Sequence, residues 1–550
     1  MTRLFFPDAH LTRQWPSHRT DTVAVLRNRH RLVCAVRQNG RCTVQMLRTL
    51  PAGGVCSAAR GNACSAGRVR QGACAVWSAR APRVRPGTGS KASPVLFPGS
   101  HGPTPPCTAQ TPATPRGNVS PPCGETPVLP PASDARAEEY ETCRALFLLL
   151  REVTGICPPW GMLTGVRPVR LVRERRQPGE SDEAFGARLH RTHFVSDEKF
   201  RLAVRTAANQ TEALTCNTPQ SYSLYISIPF CPSRCSYCSF VSRTTASSGH
   251  LIEPYLQNLS RELAMISALA QRNRLKLETI YIGGGTPTAI SAAQLRGLMQ
   301  AVQDHFDVPS VREYTVEAGR PDCTTPEKLA VIKEYGATRV SINPQTLNDE
   351  VLAAIGRRHT AQDILDCFAE ARRQGHENIN MDLIAGLPHD TPEGFLHTLR
   401  GVLALGPENI TVHTLTLKRA SNLVIEHAPT DYGDAARMLA SCALLGENGY
   451  EPYYLYRQKG TLQNLENTGY TKPGFAGLYN IFIMEEVHTI LSAGAGGSTK
   501  LVGPDGAIRR IFNYKYPTEY IERFDTVQAR KQGVDDFYGK YRNLDPQTVG

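Results

Sequence analysis

The chain has 550 residues, 16 cysteines and a formal net charge of +12, and this length allows roughly two to four domains that bury their own cores. The excess charge lies in residues 1–130, which hold 17 basic and three acidic side chains, against 45 basic and 47 acidic ones in the remainder. Composition therefore excludes a disulfide-stapled mini-protein and gives residues 131–550 no support as a nucleic-acid-binding surface. We also expect no membrane span and no secretory signal peptide, because the longest apolar run is Ala145 to Leu150 and the first residues lack an apolar stretch.

Three compositional regions precede the main body of the chain. Residues 1–50 contain short apolar runs that predict the strands of an N-terminal α+β segment. Residues 51–133 are rich in Pro, Gly, Ser, Ala, Thr and Arg. We predict disorder there, because such a stretch buries too little apolar surface to offset the entropy of ordering. Residues 134–218 have apolar side chains at helical spacing and predict a helical region.

Residues 219–424 alternate strand-like and amphipathic helix-like segments. The alternation predicts an α/β fold with a parallel sheet, and six units rather than eight predict an incomplete (β/α)6 barrel with its active site at the carboxyl ends of the strands. Residues 425–550 are predicted to form a small C-terminal domain. The six predicted strands lie within residues 223–230, 278–287, 313–320, 339–345, 378–388 and 409–417.

Three cysteines, Cys231, Cys235 and Cys238, form a CxxxCxxC motif directly after the first predicted barrel strand. Structural zinc usually takes four ligands from two separated pairs, and no second pair lies nearby in the sequence. Three thiolates on one short loop are typical of a [4Fe-4S] cluster that leaves one iron free to bind a reactant. We favour the cluster, with zinc as the alternative.

The following strands also end in residues suited to ligand binding. Gly284, Gly285 and Thr286 form a turn in which glycine lets a ligand approach the backbone, although a simple tight turn is the alternative. Polar side chains end the next strands, and each is expected to bond either a loop or a ligand because burial without a partner is costly. Their convergence on one barrel mouth favours the ligand. They are Glu317, Gln345 and Asp382, with Arg357 and His359 following the fourth strand.

CxxxCxxC with Tyr237 before the last cysteine, followed by GGGTP, resembles the radical S-adenosylmethionine (AdoMet) superfamily. Longer strings resemble the oxygen-independent coproporphyrinogen III oxidase (coproporphyrinogen dehydrogenase) family and in particular its HemZ-type branch. The resemblance covers about residues 135–537, and RLFFPDAH near the start also fits it. The strings are YISIPFCPSRCSYCSF, IYIGGGTPT, VEAGRPDCTTPEKL, RVSINPQTLNDEVLAAIGRRHT, NINMDLIAGLP, VHTLTLKRAS and YYLYRQKGTLQNLENTGYTKPG.

The resemblance implies a reaction of heme biosynthesis, in which two propionates of coproporphyrinogen III become the vinyl groups of protoporphyrinogen IX with loss of two carbon dioxide molecules. It implies that a reduced [4Fe-4S] cluster, held by the three cysteines, splits AdoMet into methionine and a 5′-deoxyadenosyl radical that abstracts hydrogen from the propionate β-carbon. The family's AdoMet contacts fall here on Tyr225, Tyr237, Gly284, Gly285, Thr286, Glu317, Gln345, Arg357 and Asp382.

The implied substrate carries four propionates, so cations are expected at the barrel mouth. Lys418, Arg419, Arg457 and Lys459 are candidates, with ordinary solvated charge as the alternative. The chemistry also implies a flavodoxin or ferredoxin as electron donor. Clustered cysteines without a signal peptide indicate a reducing, cytoplasmic compartment.

Phe240 occupies the position at which the best-known branch of the family has a fourth cysteine. Relatives with phenylalanine there include heme-binding proteins that act as heme chaperones, and the string NLENTGYTKPG also resembles them. A heme-trafficking protein that keeps the cluster and AdoMet is therefore the second hypothesis, and a radical AdoMet enzyme with another substrate is the third. VEAGRPD, INPQ and YLYRQK favour the HemZ-type branch.

Overall fold

The computed structural model describes five strands within the first 78 residues, and residues 134–541 apart from 166, 241, 419, 420, 422 and 424–433. The chain divides into two compact units, Met1–Ile156 and Cys157–Gly550. Within the described residues, no helix is long and apolar enough to cross a membrane. The predicted domain boundaries after residues 50, 133, 218 and 424 stay predictions.

The first unit contains a five-stranded antiparallel sheet and one long helix. Its elements are β1 (His10–Thr12), β2 (Thr22–Asn28), β3 (Arg31–Gln38), β4 (Arg41–Arg48), β5 (Cys74–Ser78) and α1 (Asp134–Thr154). The sheet order is β1-β5-β2-β3-β4, so the strands predicted in residues 1–50 are present. β5 pairs with β2 and lies within residues 51–133, whose predicted disorder over most of the segment stays a prediction. The rest of 51–133 lies outside the described residues.

The second unit is built on one sheet of eleven strands, in the order β14-β15-β13-β12-β11-β10-β9-β6-β16-β17-β18, and β7 pairs separately with β8. The strands are β6 (Ser221–Ile228), β7 (Phe230–Cys231), β8 (Arg243–Thr244), β9 (Lys276–Gly284), β10 (Glu313–Glu317), β11 (Arg339–Ser341), β12 (Ile379–Ala385), β13 (Asn409–Thr414), β14 (Glu451–Arg457), β15 (Glu466–Thr471), β16 (Thr489–Ala493), β17 (Ser498–Val502) and β18 (Ile508–Phe512).

Helices follow or connect these strands. They are α2 (Pro168–Arg175), α3 (Asp182–His193), α4 (Asp197–Asn209), α5 (Thr211–Thr215), α6 (Thr245–Ser248), α7 (Ile252–Arg272), α8 (Ala292–His305), α9 (Pro326–Glu334), α10 (Asp349–Ala354), α11 (Ala361–Arg373), α12 (Pro392–Leu405), α13 (Ala435–Ala440), α14 (Ala443–Glu447), α15 (Leu478–Glu485), α16 (Pro517–Glu522), α17 (Phe524–Lys531) and α18 (Gly533–Gly539).

The six predicted barrel strands are present and pair in parallel, from β6 through β9, β10, β11 and β12 to β13. Each intervening segment contains at least one helix, which confirms the incomplete (β/α)6 barrel. The sequence sets the helix starts locally: Ser291 and Gln294 form a capping box at α8, and Thr391 caps α12 before Pro392. Alternation along β9 places Ile280 and Ile282 in the main apolar core, while the intervening Tyr281 lines the pocket inside the barrel.

The C-terminal third extends both edges of the same sheet. β15 pairs antiparallel with β13, whereas β16 pairs parallel with β6 as a seventh parallel strand of the described sheet. α15 lies at the amino ends of the strands, because Glu313 at the start of β10 accepts a 2.6 Å hydrogen bond from the backbone nitrogen of Leu478. The ring of Tyr479 stacks on Tyr281 at 4.5 Å between centroids, so this helix closes the barrel from below.

A buried ion pair fixes the last helices to the barrel. Lys531 Nζ lies 3.2 Å from Glu262 Oε1, and both side chains are 1% exposed. The other oxygen of Glu262 accepts from the hydroxyl of Tyr520 at 2.7 Å and from the backbone nitrogen of Gly494 at 2.8 Å. One carboxylate on α7 therefore holds α16, α17 and the turn after β16 together.

Candidate active site

A pocket of about 370 Å³ opens at the carboxyl ends of the barrel strands. The cysteine loop and the glycine turn after β9 line one side, and the ends of β10 to β13 line the floor. Tyr454, Tyr456 and Asn467, from the antiparallel strands β14 and β15, form the opposite wall. The barrel topology thus brings together residues that are far apart in the sequence, as expected for parallel strands that share one edge.

The three cysteines lie on one tight loop that the barrel holds at several points. Cys235 is buried, whereas Cys231 and Cys238 are half-buried. The backbone nitrogen of Cys238 donates to the carbonyl of Cys235 at 3.1 Å, and that of Ser236 donates to the carbonyl of Ile355 at 3.0 Å. All three line the pocket, so the structure places them where the sequence predicted.

The glycine turn contacts the cysteine loop directly. Gly285 donates its backbone N–H to the carbonyl of Ile228 at 2.8 Å, and Thr286 donates to that of Phe230 at 2.8 Å. A Cβ atom on Gly285 would lie 2.7 Å from the Phe230 carbonyl oxygen and 3.0 Å from Cys231 Sγ. Gly284 adopts φ of +115°, a conformation that side chains disfavour. Glycine is therefore required here for backbone shape and for close approach to the first cysteine.

The thiol chemistry fits an iron-sulfur cluster. The pKa of Cys238 is raised to about 11, mainly by burial and in smaller part by the neighbouring Cys235 and Cys231. Deprotonating three adjacent thiols requires a compensating cation, which bound iron supplies. In the described part of the chain, no three His, Cys, Asp or Glu side chains are placed to hold a single metal ion. A [4Fe-4S] cluster does not need that geometry, since each of its cysteine ligands binds a different iron.

Glu317, at the end of β10, is a half-buried carboxyl that lines the pocket. The hydroxyl of Tyr281 donates to its Oε1 at 2.6 Å. Burial raises the pKa of Glu317 to about 7; Asp382 adds to this effect, while Tyr281 and the charge of Arg339 oppose it. The carboxyl therefore changes charge near neutral pH, and a cationic group on a ligand would favour its ionised form.

Asp382, in the middle of β12, stays ionised in the same pocket. Asn380 donates to its Oδ1 at 2.8 Å, and His413 Nε2 lies 3.7 Å from its Oδ2. Burial acts to raise the pKa of Asp382, but His413 and Asn380 outweigh it and hold the pKa below its ordinary value. Two carboxyls with pKa values shifted in opposite directions thus face one cavity, as is common at functional sites.

Gln345 and Arg357 each keep a buried atom without a partner among the described residues, namely Oε1 of Gln345 and Nε of Arg357. Gln345 has φ of 69°, and its backbone nitrogen donates to the Asp382 carbonyl at 2.9 Å. Arg357 donates to the carbonyl of Asn343 at 2.6 Å and to the Tyr237 hydroxyl at 3.4 Å. Buried polar atoms seldom remain unpaired, so these two atoms are positioned to receive a ligand.

The other predicted residues divide between pocket and surroundings. Lys418 lines the pocket, whereas Tyr225 stacks beside Tyr281 at 6.1 Å and is not part of its lining. Arg457 turns away from the cavity, with Nη2 donating to the Asn464 carbonyl at 2.9 Å and its guanidinium over the Trp160 ring. Lys459 is exposed outside the lining. Arg419 lies outside the described residues.

Sequence reasoning missed several pocket residues. Arg320 lies against Cys235, Arg339 is buried in the pocket lining, and His413 lies beside Asp382. Arg320 carried a signal, since it stands three residues after Glu317 at the end of a predicted strand. Arg339 and His413 lie inside predicted strands. The sequence does not show which face of each strand points into the barrel, so it did not identify these two residues.

Comparison with known proteins identifies the superfamily of the central domain. A profile of the radical SAM superfamily matches residues 225–402. An oxygen-independent coproporphyrinogen-III oxidase-like protein, HemZ of Bacillus subtilis (strain 168), is 42% identical over 391 residues, which is 70% of this chain and 78% of that protein. The heme chaperone HemW of Escherichia coli (strain K12) is 29% identical over 329 residues, 59% of this chain and 83% of that protein.

The structure of coproporphyrinogen III oxidase (HemN) from Escherichia coli aligns with a TM-score of 0.45 at 23% identity, over 58% of this chain and 73% of that one. Because it is 42% identical to HemZ of Bacillus subtilis over 78% of that protein, the chain belongs to the radical SAM superfamily and, within it, to the oxygen-independent coproporphyrinogen-III oxidase-like family. Its cofactors are a [4Fe-4S] cluster and AdoMet, as the motifs predicted.

Proposed function

We propose that the protein is an oxygen-independent coproporphyrinogen III oxidase, which converts two propionates of coproporphyrinogen III into the vinyl groups of protoporphyrinogen IX. The single observation that carries this function is the 42% identity over 391 residues to a protein named as oxygen-independent coproporphyrinogen-III oxidase-like. The match is far longer than the superfamily segment 225–402, so it includes residues beyond those needed for AdoMet chemistry alone.

Within this proposal, Cys231, Cys235 and Cys238 hold the cluster. When bound, the cluster and AdoMet supply a carbon-centred radical that removes a hydrogen atom from an unactivated C–H bond. The backbone of Gly284 and Gly285 holds the methionyl group, and the ionised forms of Glu317 and Asp382 attract its ammonium group. Gln345 Oε1 and Arg357 Nε offer one acceptor and one donor to the rest of the molecule.

The wall opposite the cysteines suits the substrate. The rings of Tyr454 and Tyr456 stand nearly parallel, 6.3 Å apart with 7° between their planes. Tyr454 is buried, so the half-buried ring of Tyr456 offers the flat apolar surface to a pyrrole ring. Lys418 has no carboxylate partner within 4 Å among the described residues, and burial lowers its pKa, with Cys238 opposing that shift. We propose that Lys418 binds a propionate. We do not extend this proposal to Arg457, because its guanidinium donates to neighbouring carbonyl groups.

The buried barrel interior also excludes water from the reacting carbon. Each propionate that becomes a vinyl group loses carbon dioxide, one hydrogen atom and one electron; the hydrogen goes to the nucleoside and the electron to a one-electron acceptor. A flavodoxin or ferredoxin as the source of the reducing electron, and a cytosolic location, are parts of the same proposal.

Heme trafficking is the second candidate function. It is favoured by Phe240, which is 65% exposed at the pocket rim, and by the similarity to proteins named heme chaperones. An exposed ring beside the pocket can contact a flat apolar ligand without any hydrogen abstraction.

One assay separates the two functions. The full chain, with its cluster reconstituted under anaerobic conditions, is incubated with coproporphyrinogen III, AdoMet, a reductant and a one-electron acceptor. Formation of protoporphyrinogen IX together with 5′-deoxyadenosine supports the oxidase. Nucleoside without porphyrin product points to another substrate, and neither product combined with tight heme binding supports trafficking.

A further inference from the structure

Arg320, three residues after the end of β10, is a buried cation against the cysteine loop. Its side chain is 4% exposed. Its Nη1 lies 3.6 Å from Cys235 Sγ and 3.2 Å from the carbonyl oxygen of Ser233. Its Nη2 donates to the Ser233 hydroxyl at 3.0 Å. The guanidinium therefore contacts the most buried of the three cysteines and the backbone that precedes it.

Asp322 holds this guanidinium in orientation. Arg320 Nε donates to Oδ1 at 3.0 Å, and Nη2 donates to Oδ2 at 2.8 Å. His359 Nδ1 lies 3.6 Å from the same carboxylate. A bidentate pair of this kind fixes the plane of the guanidinium, so that Nη1 points at sulfur, while the carboxylate offsets part of its positive charge.

We propose that Arg320 is a positioning residue that tunes reduction of the cluster by donating Nη1–H to the sulfur of Cys235. Hydrogen bonds to ligand sulfur and local net charge are two of the means by which a protein sets the potential of an iron-sulfur cluster. Reduction adds one electron from an external reductant and hence one negative charge, with no bond broken. Arg320 stabilises the form with the added electron more than the oxidised form and so raises the reduction potential.

This role rests on the part of the proposed function in which Cys235 ligates the cluster. It does not depend on the identity of the substrate, because the experiment that tests the role contains neither substrate nor AdoMet. The rival explanation is that Arg320 only clamps the loop through Ser233. The two differ in what happens at Asp322. If charge at the sulfur matters, removing Arg320 and removing the charge of Asp322 shift the potential in opposite directions. If Arg320 only clamped the loop, the two substitutions would not shift the reduction potential in opposite directions.

The experiment uses the full chain after anaerobic reconstitution, with iron and sulfide counted for each variant. The fraction of reduced cluster is then followed by electron paramagnetic resonance during titration with dithionite. For Arg320→Met we expect a more negative midpoint potential. At the wild-type midpoint potential, the ratio of reduced to oxidised cluster should be about tenfold lower in this variant, because it lacks one charged hydrogen bond whose charge Asp322 partly offsets. For Asp322→Asn we expect a more positive midpoint. Ser233→Ala is the control, because it removes one clamp partner, keeps the sulfur contact and should leave the midpoint unchanged.

Unchanged midpoints in Arg320→Met and Asp322→Asn, or shifts of the same sign, would overturn the role. If Arg320→Met holds too little iron to titrate, Asp322→Asn decides: a more positive midpoint supports the role, and an unchanged one overturns it.

Discussion

The hydroxyl of Tyr281 donates a 2.6 Å hydrogen bond to Oε1 of Glu317, inside the barrel and beneath the glycine turn. This bond opposes the effect of burial, and with the bond in place the pKa of the carboxyl is raised to about 7. Tyr281 therefore governs how much of Glu317 carries a negative charge at neutral pH.

AdoMet binding should depend on pH through Glu317. Because the pKa of the carboxyl is raised above its ordinary value, the protonated form is favoured below about pH 7, and affinity for an ammonium group should rise as the pH increases through that value. We expect about tenfold tighter binding at pH 8 than at pH 6, since the ionised fraction changes by that factor around a pKa of 7. Equilibrium dialysis of AdoMet across this range measures it. A flat profile would remove Glu317 from the binding site.

The same carboxyl affects stability in the opposite sense. Without ligand, the protonated form of Glu317 is the more stable one in the fold. Its contribution to the free energy of unfolding is therefore present below pH 4.5 and is lost as the pH rises through 7.

Changing Tyr281 to Phe removes the bond that favours ionisation of Glu317 and should shift the pH profile of AdoMet binding to higher pH. Tyr454→Phe is the matched control, because its hydroxyl bonds Thr411 instead. Equal shifts in both variants would contradict the assignment.

Gly285→Ala should prevent cluster assembly. A Cβ there would lie 2.7 Å from the Phe230 carbonyl oxygen and 3.0 Å from Cys231 Sγ, so the backbone must move at a cost of about 1–3 kcal/mol. We expect clearly reduced iron and sulfide content after reconstitution. Gly297→Ala, on α8 with nothing within 4 Å of the added carbon, should retain full content. Normal iron in Gly285→Ala would show that close approach is not required.

Lys418→Gln tests the proposed propionate contact. Loss of one partly screened ion pair, worth about 1 kcal/mol, should raise KM for coproporphyrinogen III roughly fivefold with a smaller change in kcat. Lys459→Gln should leave both constants unchanged, because Lys459 is exposed outside the pocket lining. If the two variants behave alike, Lys418 is an ordinary surface charge.

The ion pair of Glu262 and Lys531 should control the stability of the second unit. Lys531→Met leaves a buried carboxylate without its cation, and we expect a loss of about 3–5 kcal/mol in the free energy of unfolding. The double variant with Glu262→Gln should recover part of that loss. Urea denaturation measures both. The exposed pair of Arg296 and Glu334 serves as the control, and Arg296→Ala should change stability little.

The sequence predicted the barrel because each strand and helix carries its own local periodicity. It also located the cysteine loop, the glycine turn and the polar strand ends, because parallel strands bring their carboxyl ends together. It did not predict β16 beside β6, since residue 489 pairs with residue 222 and no local pattern encodes so distant a partner. The burial of Arg457 was missed for the same reason: its acceptors are the carbonyls of Leu163 and Asn464.

The proposed oxidase reaction is tested most directly by following the abstracted hydrogen. Coproporphyrinogen III carrying deuterium at the β-carbons of its propionates is incubated anaerobically with the reconstituted chain, AdoMet, a reductant and a one-electron acceptor, and both products are analysed by mass spectrometry. We expect protoporphyrinogen IX together with 5′-deoxyadenosine that has gained deuterium. Unlabelled nucleoside without protoporphyrinogen IX would contradict it.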